Sequence, residues 1–246
     1  ANTELERPMR RVVVTGLGLV TPLGNGVEHS WKGIVEGRSG IRPITTFDTE
    51  GYGCTIAGEV PSVDGRGGGA PGQPGVFDPD AIMSAKERKR VDDFILYGIA
   101  AADEALNDAG WHPEADEDRE RTGVMMGSGI GGLGPIAENA LILQESGPRR
   151  ISPFFIPSSL INLASGQISI RHGLKGPNHA VVTACASGVH AIGDAARMIA
   201  FDDADVMVAG GAEATIVPIG IAGFLACKAL CTAYNDTPEK ASRPYD

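Results

Sequence analysis

Among side chains able to form a covalent intermediate, the chain offers four cysteines, Cys54, Cys185, Cys227 and Cys231. Cys185 has the setting that nucleophilic chemistry needs. The run Val181-Val182-Thr183-Ala184 before it has the character of a buried strand, and Ala186 to Phe201 after it reads as a helix. That helix is apolar nearly all round, broken only by Ser187, His190, Asp194 and Arg197. A cysteine at such a junction faces the unpaired N–H groups and positive end of the helix, which favour thiolate over thiol. The same N–H groups are placed to hold the oxyanion formed when a thioester carbonyl is attacked, and Ala184, Ala186 and Gly188 leave room for a substrate. The competing reading is a small core residue, since free cysteine is among the most buried residue types. Cys227 and Cys231, one helical turn apart, imitate a metal or redox pair. Zinc needs more ligands, and no further cysteine or histidine lies nearby, so core packing is expected for both. His190, on the helix after Cys185 but angularly off its face, is expected to be a satisfied polar group within the core.

Two glycine-rich stretches imitate nucleotide sites. Gly127-Ser128-Gly129-Ile130-Gly131-Gly132 spells G-x-G-x-x-G after an apolar run. About twenty residues further on, where an acid should close a second strand, stands Arg149-Arg150 in a loop. Gly16-Leu17-Gly18 follows another apolar run, but Thr21 stands where the third glycine belongs. Dinucleotide binding is expected at neither. Basic residues gather as Lys86, Arg88, Lys89 and Arg90 and again as Arg149-Arg150, in a chain of formal net charge −10. That balance argues against a nucleic-acid binder. A basic run is ordinarily a solvated face unless an acidic partner lands on it.

The elements that must position these residues read as an α/β protein. Strands are expected at Arg10 to Gly16, Thr122 to Gly127, Ala180 to Ala184 and Asp205 to Gly210. Helices are expected at Val27 to Glu36, at Arg90 to Ala109 with Gly110 as its cap, and at Ala186 to Phe201. Strands separated by helices argue for a mainly parallel sheet with crossover connections, and a helix apolar all round must be buried. Residues 61–79, dense in glycine and proline, cannot hold a helix or a central strand and are expected to form an exposed loop insertion. No apolar run reaches the ~18–20 residues of a membrane span, the start from Ala1 to Arg10 is polar, and the cysteines are too sparse for a disulfide scaffold. A cytoplasmic protein is expected.

Thr183-Ala184-Cys185-Ala186-Ser187-Gly188-Val189-His190 resembles the nucleophile motif of the elongating, synthase II-like β-ketoacyl-[acyl-carrier-protein] synthases. Val12 to Gly18, Gly127 to Gly132, Ser152 to Pro157, Asp203 to Glu213 and Ser242-Arg243-Pro244 agree with that family in the same order, so the resemblance spans essentially the whole chain. It implies a thiolase-like fold, layered αβαβα with a mainly parallel sheet, of which residues 1–246 are the N-terminal half and the C-terminal half is absent from this chain. It implies that Cys185 carries the acyl group in a decarboxylating Claisen condensation. Ile130 would stand at the neck of the acyl channel, with Phe224 and, reaching across a dimer, Phe155 as further channel residues; ordinary core packing is the alternative for each. The implied partner is an acidic acyl carrier protein in acyl and malonyl forms. Lys86, Arg88, Lys89, Arg90, Arg149 and Arg150 would form its landing patch, with Lys228 as a further contact. A homodimer is implied, with no metal or nucleotide cofactor, no nucleic acid and no membrane. The family's two catalytic histidines lie in motifs of the C-terminal half, which His29, His112, His172, His179 and His190 do not match. A polyketide-type ketosynthase, a thiolase and a non-catalytic carrier-protein-binding fragment remain open at this point.

Overall fold

The computed structural model describes residues 9–245; the polar start up to Pro8 lies outside them. A three-stranded parallel sheet carries the site. Its strands are β1 (Thr122–Gly127), β2 (Asn178–Val181) and β3 (Val206–Gly211), in the order β2-β1-β3. The helices that frame it are α1 (Val27–Val35), α2 (Asp93–Asp108), α3 (Leu133–Ser146), α4 (Phe155–Ser159), α5 (Asn162–His172), α6 (Ser187–Ala200) and α7 (Pro218–Ala226). Each residue of β1 is buried, as a central parallel strand requires. Val124 and Met126 pack against Phe94, Ile95 and Ile99 of α2 and against Ala164 and Ile168 of α5. Ala191 and Ala195 of α6, both buried, mark the face it turns to the sheet from the other side.

The long helix starts at Asp93 and not at Arg90, because the Asp92 carboxylate accepts the Phe94 amide at 3.1 Å and caps it there. Gly110, at φ 62°, ends it as expected.

Three expectations are corrected. Arg10 to Gly16 forms no strand. Beyond the Arg10 amide, which bonds to the Ala200 carbonyl at 3.4 Å, it has no ladder, and Val13 and Val14 are 72% and 75% exposed. The chain is tied down on either side of these valines, by Arg10 on Asp202 and Asp205 and by the Leu17 and Leu19 amides on Asp108 and Glu104 of α2. β-branched residues suit an extended backbone, but a strand also needs a ladder partner, and no described strand lies beside this one.

Likewise α6 is not enclosed. Its Ala191 and Ala195 sit on the sheet, while Val189 and Ile192 on another face are 77% and 51% exposed. Among the described residues nothing covers them.

Before the short helix that begins at Pro79, residues 61–78 hold no central strand and no helix beyond a single turn at Arg66–Gly68, yet exposure is confined to 64–65, 68 and the tip at 71–74. Ser62, Gly67 and Phe77 are buried. Burial pushes the Glu59 carboxyl up, but bonds from Thr45, Thr46 and the Gly67 amide outweigh this and hold it below the usual carboxylate range. That buried anion pins the loop. Among the described residues no helix is long and apolar enough to cross a membrane.

Candidate active site

β2 ends at Val181, three residues short of the strand expected from sequence, because Thr183 turns its amide to the Ser187 hydroxyl instead of a ladder. Ser187 Oγ accepts from Thr183 N at 2.9 Å and donates to the Ala184 carbonyl at 2.7 Å. This staple holds Ala184 at φ 52°, a left-handed conformation that costs a residue with a Cβ about 1–3 kcal/mol. Such strain persists only where the surroundings fix it, and here it turns Cys185 outward. Cys185 is exposed. The Ala186 and Ser187 amides bond to the carbonyls of Thr183 and Ala184 at 3.1 Å each. They are therefore unavailable to an oxyanion, contrary to the sequence-based expectation. The Cys185 amide itself has no acceptor among the described residues.

Glycine is required where the start of α6 presses onto the sheet. A Cβ on Gly211 would lie 2.7 Å from the Gly188 Cα, and one on Gly127 would lie 2.5 Å from the Ser187 carbonyl oxygen.

Cys185 lies on the wall of an open cavity of about 790 Å³, which Ile130, Val189, Ile192 and Phe224 line with carbon and Glu213 with a carboxylate. Of the expected channel residues, Ile130 and Phe224 thus line the same cavity as Cys185. Phe155 does not: half-buried at the start of α4, it lies outside the lining of its own chain's cavity.

The G-x-G-x-x-G loop beside the cavity already has its anion. Glu213 Oε2 accepts the Gly129 and Ile130 amides at 2.7 and 3.0 Å. Its Oε1 accepts the Gly131 amide at 3.2 Å and the Ser128 hydroxyl at 3.0 Å. The loop's donors converge as they would on a phosphate, and the exposed Glu213 carboxylate of the same chain fills the place. Sequence reading recognised the motif but could not see that Glu213 completes it.

Burial pushes the nearby Asp92 carboxyl up to about 7, against its bond from the Phe94 amide, with Asp93 and Glu213 adding repulsion. A carboxyl raised in the folded state holds its proton there after the unfolded chain has lost it, so stability falls as pH rises from about 4 through 7. Asp92→Asn keeps a capping side chain and removes the charge. In urea unfolding of the whole gene product it is expected to gain about 1–3 kcal/mol at pH 8 and little or nothing at pH 4.5. Equal effects at both pH values would contradict the assignment.

The basic residues fall into two neighbouring groups. Lys86 and Arg88 lie on the turn Ala85–Arg88, followed by Lys89 and Arg90, and Arg149 and Arg150 lie on the turn Pro148–Arg150. The Arg90 guanidinium sits 5.1 Å from the ring centroid of Phe154, which brings the two groups together. Lys86, Lys89, Arg90, Arg149 and Arg150 are exposed, whereas Arg88 is half-buried and paired with Asp80. Lys228, exposed, follows α7 at φ 57°.

Two further expectations fail. His190 is exposed, between Thr183 Oγ1 at 3.3 Å and Asp194 at 3.2 Å, because it leans along the outer face of α6. Cys227 is exposed and Cys231 half-buried, since the chain leaves α7 at the surface; Cys54 is the buried thiol.

Fold and site together define a thiolase-like ketosynthase architecture of the α/β class, with a cysteine held at a strand-to-helix turn over an apolar cavity. The chain belongs to the β-ketoacyl synthase family, whose N-terminal domain it matches over residues 9–246. It is 58% identical over 238 residues to 3-oxoacyl-[acyl-carrier-protein] synthase 2 of Rhizobium meliloti (strain 1021), covering 97% of this chain and 55% of that protein. Its fold matches the crystal structure of a β-ketoacyl synthase from Burkholderia phymatum STM815 with a TM-score of 0.79 at 29% identity, over 97% of this chain and 55% of that one. A type II PKS acyl-carrier protein in complex with its ketosynthase bound to the hexaketide gives a TM-score of 0.73 at 27% identity, over 91% and 50%. The chain spans about half the length of the relatives it matches.

Proposed function

We propose that this chain supplies the nucleophile and acyl cavity of a 3-oxoacyl-[acyl-carrier-protein] synthase that elongates fatty acyl chains. The observation that carries the reading is Cys185, exposed at a strained turn on the wall of an apolar cavity. In the first half-reaction the Cys185 thiolate attacks the thioester carbonyl of an acyl-carrier protein. The Cys185 amide donates to the tetrahedral oxyanion. The carrier's thiolate leaves, and the acyl group stays on Cys185. In the second, malonyl-carrier protein loses carbon dioxide, and the resulting carbanion attacks the Cys185 thioester. The Cys185 thiolate is expelled, and the product is a β-ketoacyl-carrier protein two carbons longer. Groups that polarise the malonyl thioester come, in this reading, from residues beyond this chain.

An acidic carrier protein would land on Lys86, Lys89, Arg90, Arg149 and Arg150, with Arg88 behind them and Lys228 as a further contact. The joining of the two basic groups through Phe154 supports this, as does the carrier bound to the ketosynthase relative. A homodimer is supported by β2, an edge strand of the sheet with Asn178 and His179 exposed; Phe155 would then serve the partner's channel. We place the protein in the cytoplasm, where carrier-protein chemistry meets reduced thiols.

The whole gene product, given acyl- and malonyl-carrier protein, is expected to release the longer β-ketoacyl product. Carrier binding without transfer would leave a docking module instead. In the same assay Ile130→Phe is expected to cut transfer of long acyl chains by about tenfold or more, with short-chain transfer nearly intact, because added volume at a neck blocks only what must pass it. A chain-length profile equal to wild type would place Ile130 outside the channel.

A further inference from the structure

We infer that Glu213 is the positioning residue that sets the neck of the acyl cavity; this rests on the function proposed above. Glu213 follows β3 and reaches across the ends of two parallel strands to the loop after β1. The Ala212 amide, bonded to the Gly127 carbonyl at 3.0 Å, aligns the two chains just before they part. Four donors then converge on the one carboxylate: the amides of Gly129, Ile130 and Gly131 and the hydroxyl of Ser128. Ser128 is buried, and its oxygen also accepts the Gly131 amide at 3.2 Å, so loop and carboxylate form one closed network.

The fit is close. A Cβ on Gly129 would come within 2.9 Å of Glu213 Oε2 and within 3.2 Å of the Ala184 carbonyl oxygen, which belongs to the turn that presents Cys185. The loop is therefore wedged between the carboxylate and the nucleophile's own turn. Ile130, whose amide is one of the four donors, has nowhere to shift its backbone while Glu213 holds. Since Glu213 and Ile130 line the same cavity as Cys185, the carboxylate sets how wide that cavity is where the acyl chain passes. Glu213 need not touch the reacting atoms; it acts through Ile130.

Glutamine at this position has nearly the same shape but only one acceptor oxygen, and its NH₂ must face donors. Ser128 Oγ can turn to accept from that NH₂, but with the one oxygen on Gly129 and Ile130 the Gly131 amide faces the NH₂ and keeps only its bond to Ser128 Oγ. In the whole gene product, Glu213→Gln is expected to raise hydrogen exchange at Gly129, Ile130 and Gly131 by about tenfold, roughly one charge-assisted hydrogen bond. It is also expected to flatten the acyl chain-length profile of transfer to Cys185 by about fivefold or more. Alkylation of Cys185 by iodoacetamide should stay within about twofold of wild type, because the turn at Ala184 and Ser187 is untouched.

Unchanged exchange in the loop would overturn the clamp. Faster exchange with a uniform loss of transfer at every chain length would reduce Glu213 to a merely structural role and overturn the inference. Should Glu213→Gln not fold, Ser128→Ala removes only the hydroxyl bridge and is expected to move both readouts in the same direction by about twofold. A wild-type protein that takes no acyl group at all would sink the function on which this rests, and that result is visible before any variant is made.

Discussion

Replacing Cys185 with alanine in the whole gene product is expected to reduce transfer of an acyl group from carrier protein by at least about 10³-fold. The reason is chemical and local. No other thiol lies on the cavity wall: Cys54 is buried, and Cys227 and Cys231 lie beyond its lining. Stability should change little, because the side chain is exposed and the turn is held by Ser187 and not by sulfur. Alanine at Cys227, exposed elsewhere, should leave transfer near wild type. Steady-state transfer with unfolding curves on the same samples decides the matter, and a Cys185→Ala protein that still transfers would remove the nucleophile from the account.

The second large effect concerns residues 1–246 expressed by themselves. They are expected to give no condensation product and to unfold at lower denaturant than the whole gene product, or to associate. Val189 and Ile192 on α6 and Val13 and Val14 near the start leave several apolar side chains in water. Burying a side chain of this size contributes about 1.5–3 kcal/mol, a sizeable part of the net stability of a typical domain. On the chemical side, the proposed mechanism uses the Cys185 amide as one oxyanion donor, and losing a second one typically costs ~10²–10³ in rate. A cooperative, monomeric, condensing 1–246 protein would show that this stretch needs nothing further.

What could be read from the sequence was local. β1 at Thr122–Gly127 was legible to the residue, because a continuous β-branched and apolar run ended by glycine has few other outcomes. The strand-to-helix turn that displays Cys185 was legible for the same reason, and the small residues around it mark close contacts in the structure. Periodicity cannot see what lies beside an element. It made a strand of Val12 to Val14, where the backbone is unpaired, and enclosed α6, where one face is open. Nor could it see that the glycine loop closes on Glu213, some eighty residues away, since a carboxylate satisfying distant amides leaves no local signal. The oxyanion donor was misassigned because the turn's own bonds take the Ala186 and Ser187 amides. The basic groups were visible as charge, but their adjacency depends on Arg90 meeting Phe154, a contact that only the fold supplies.

The central claim, that Cys185 carries the acyl group, is tested most directly by incubating the whole gene product with acyl-carrier protein and mapping the adduct by peptide mass spectrometry. One acyl group per chain is expected, on the peptide that contains Cys185, released by hydroxylamine as a thioester must be. An adduct on Cys54, Cys227 or Cys231, or an acyl-carrier protein that binds and leaves its acyl group on no cysteine, would contradict it.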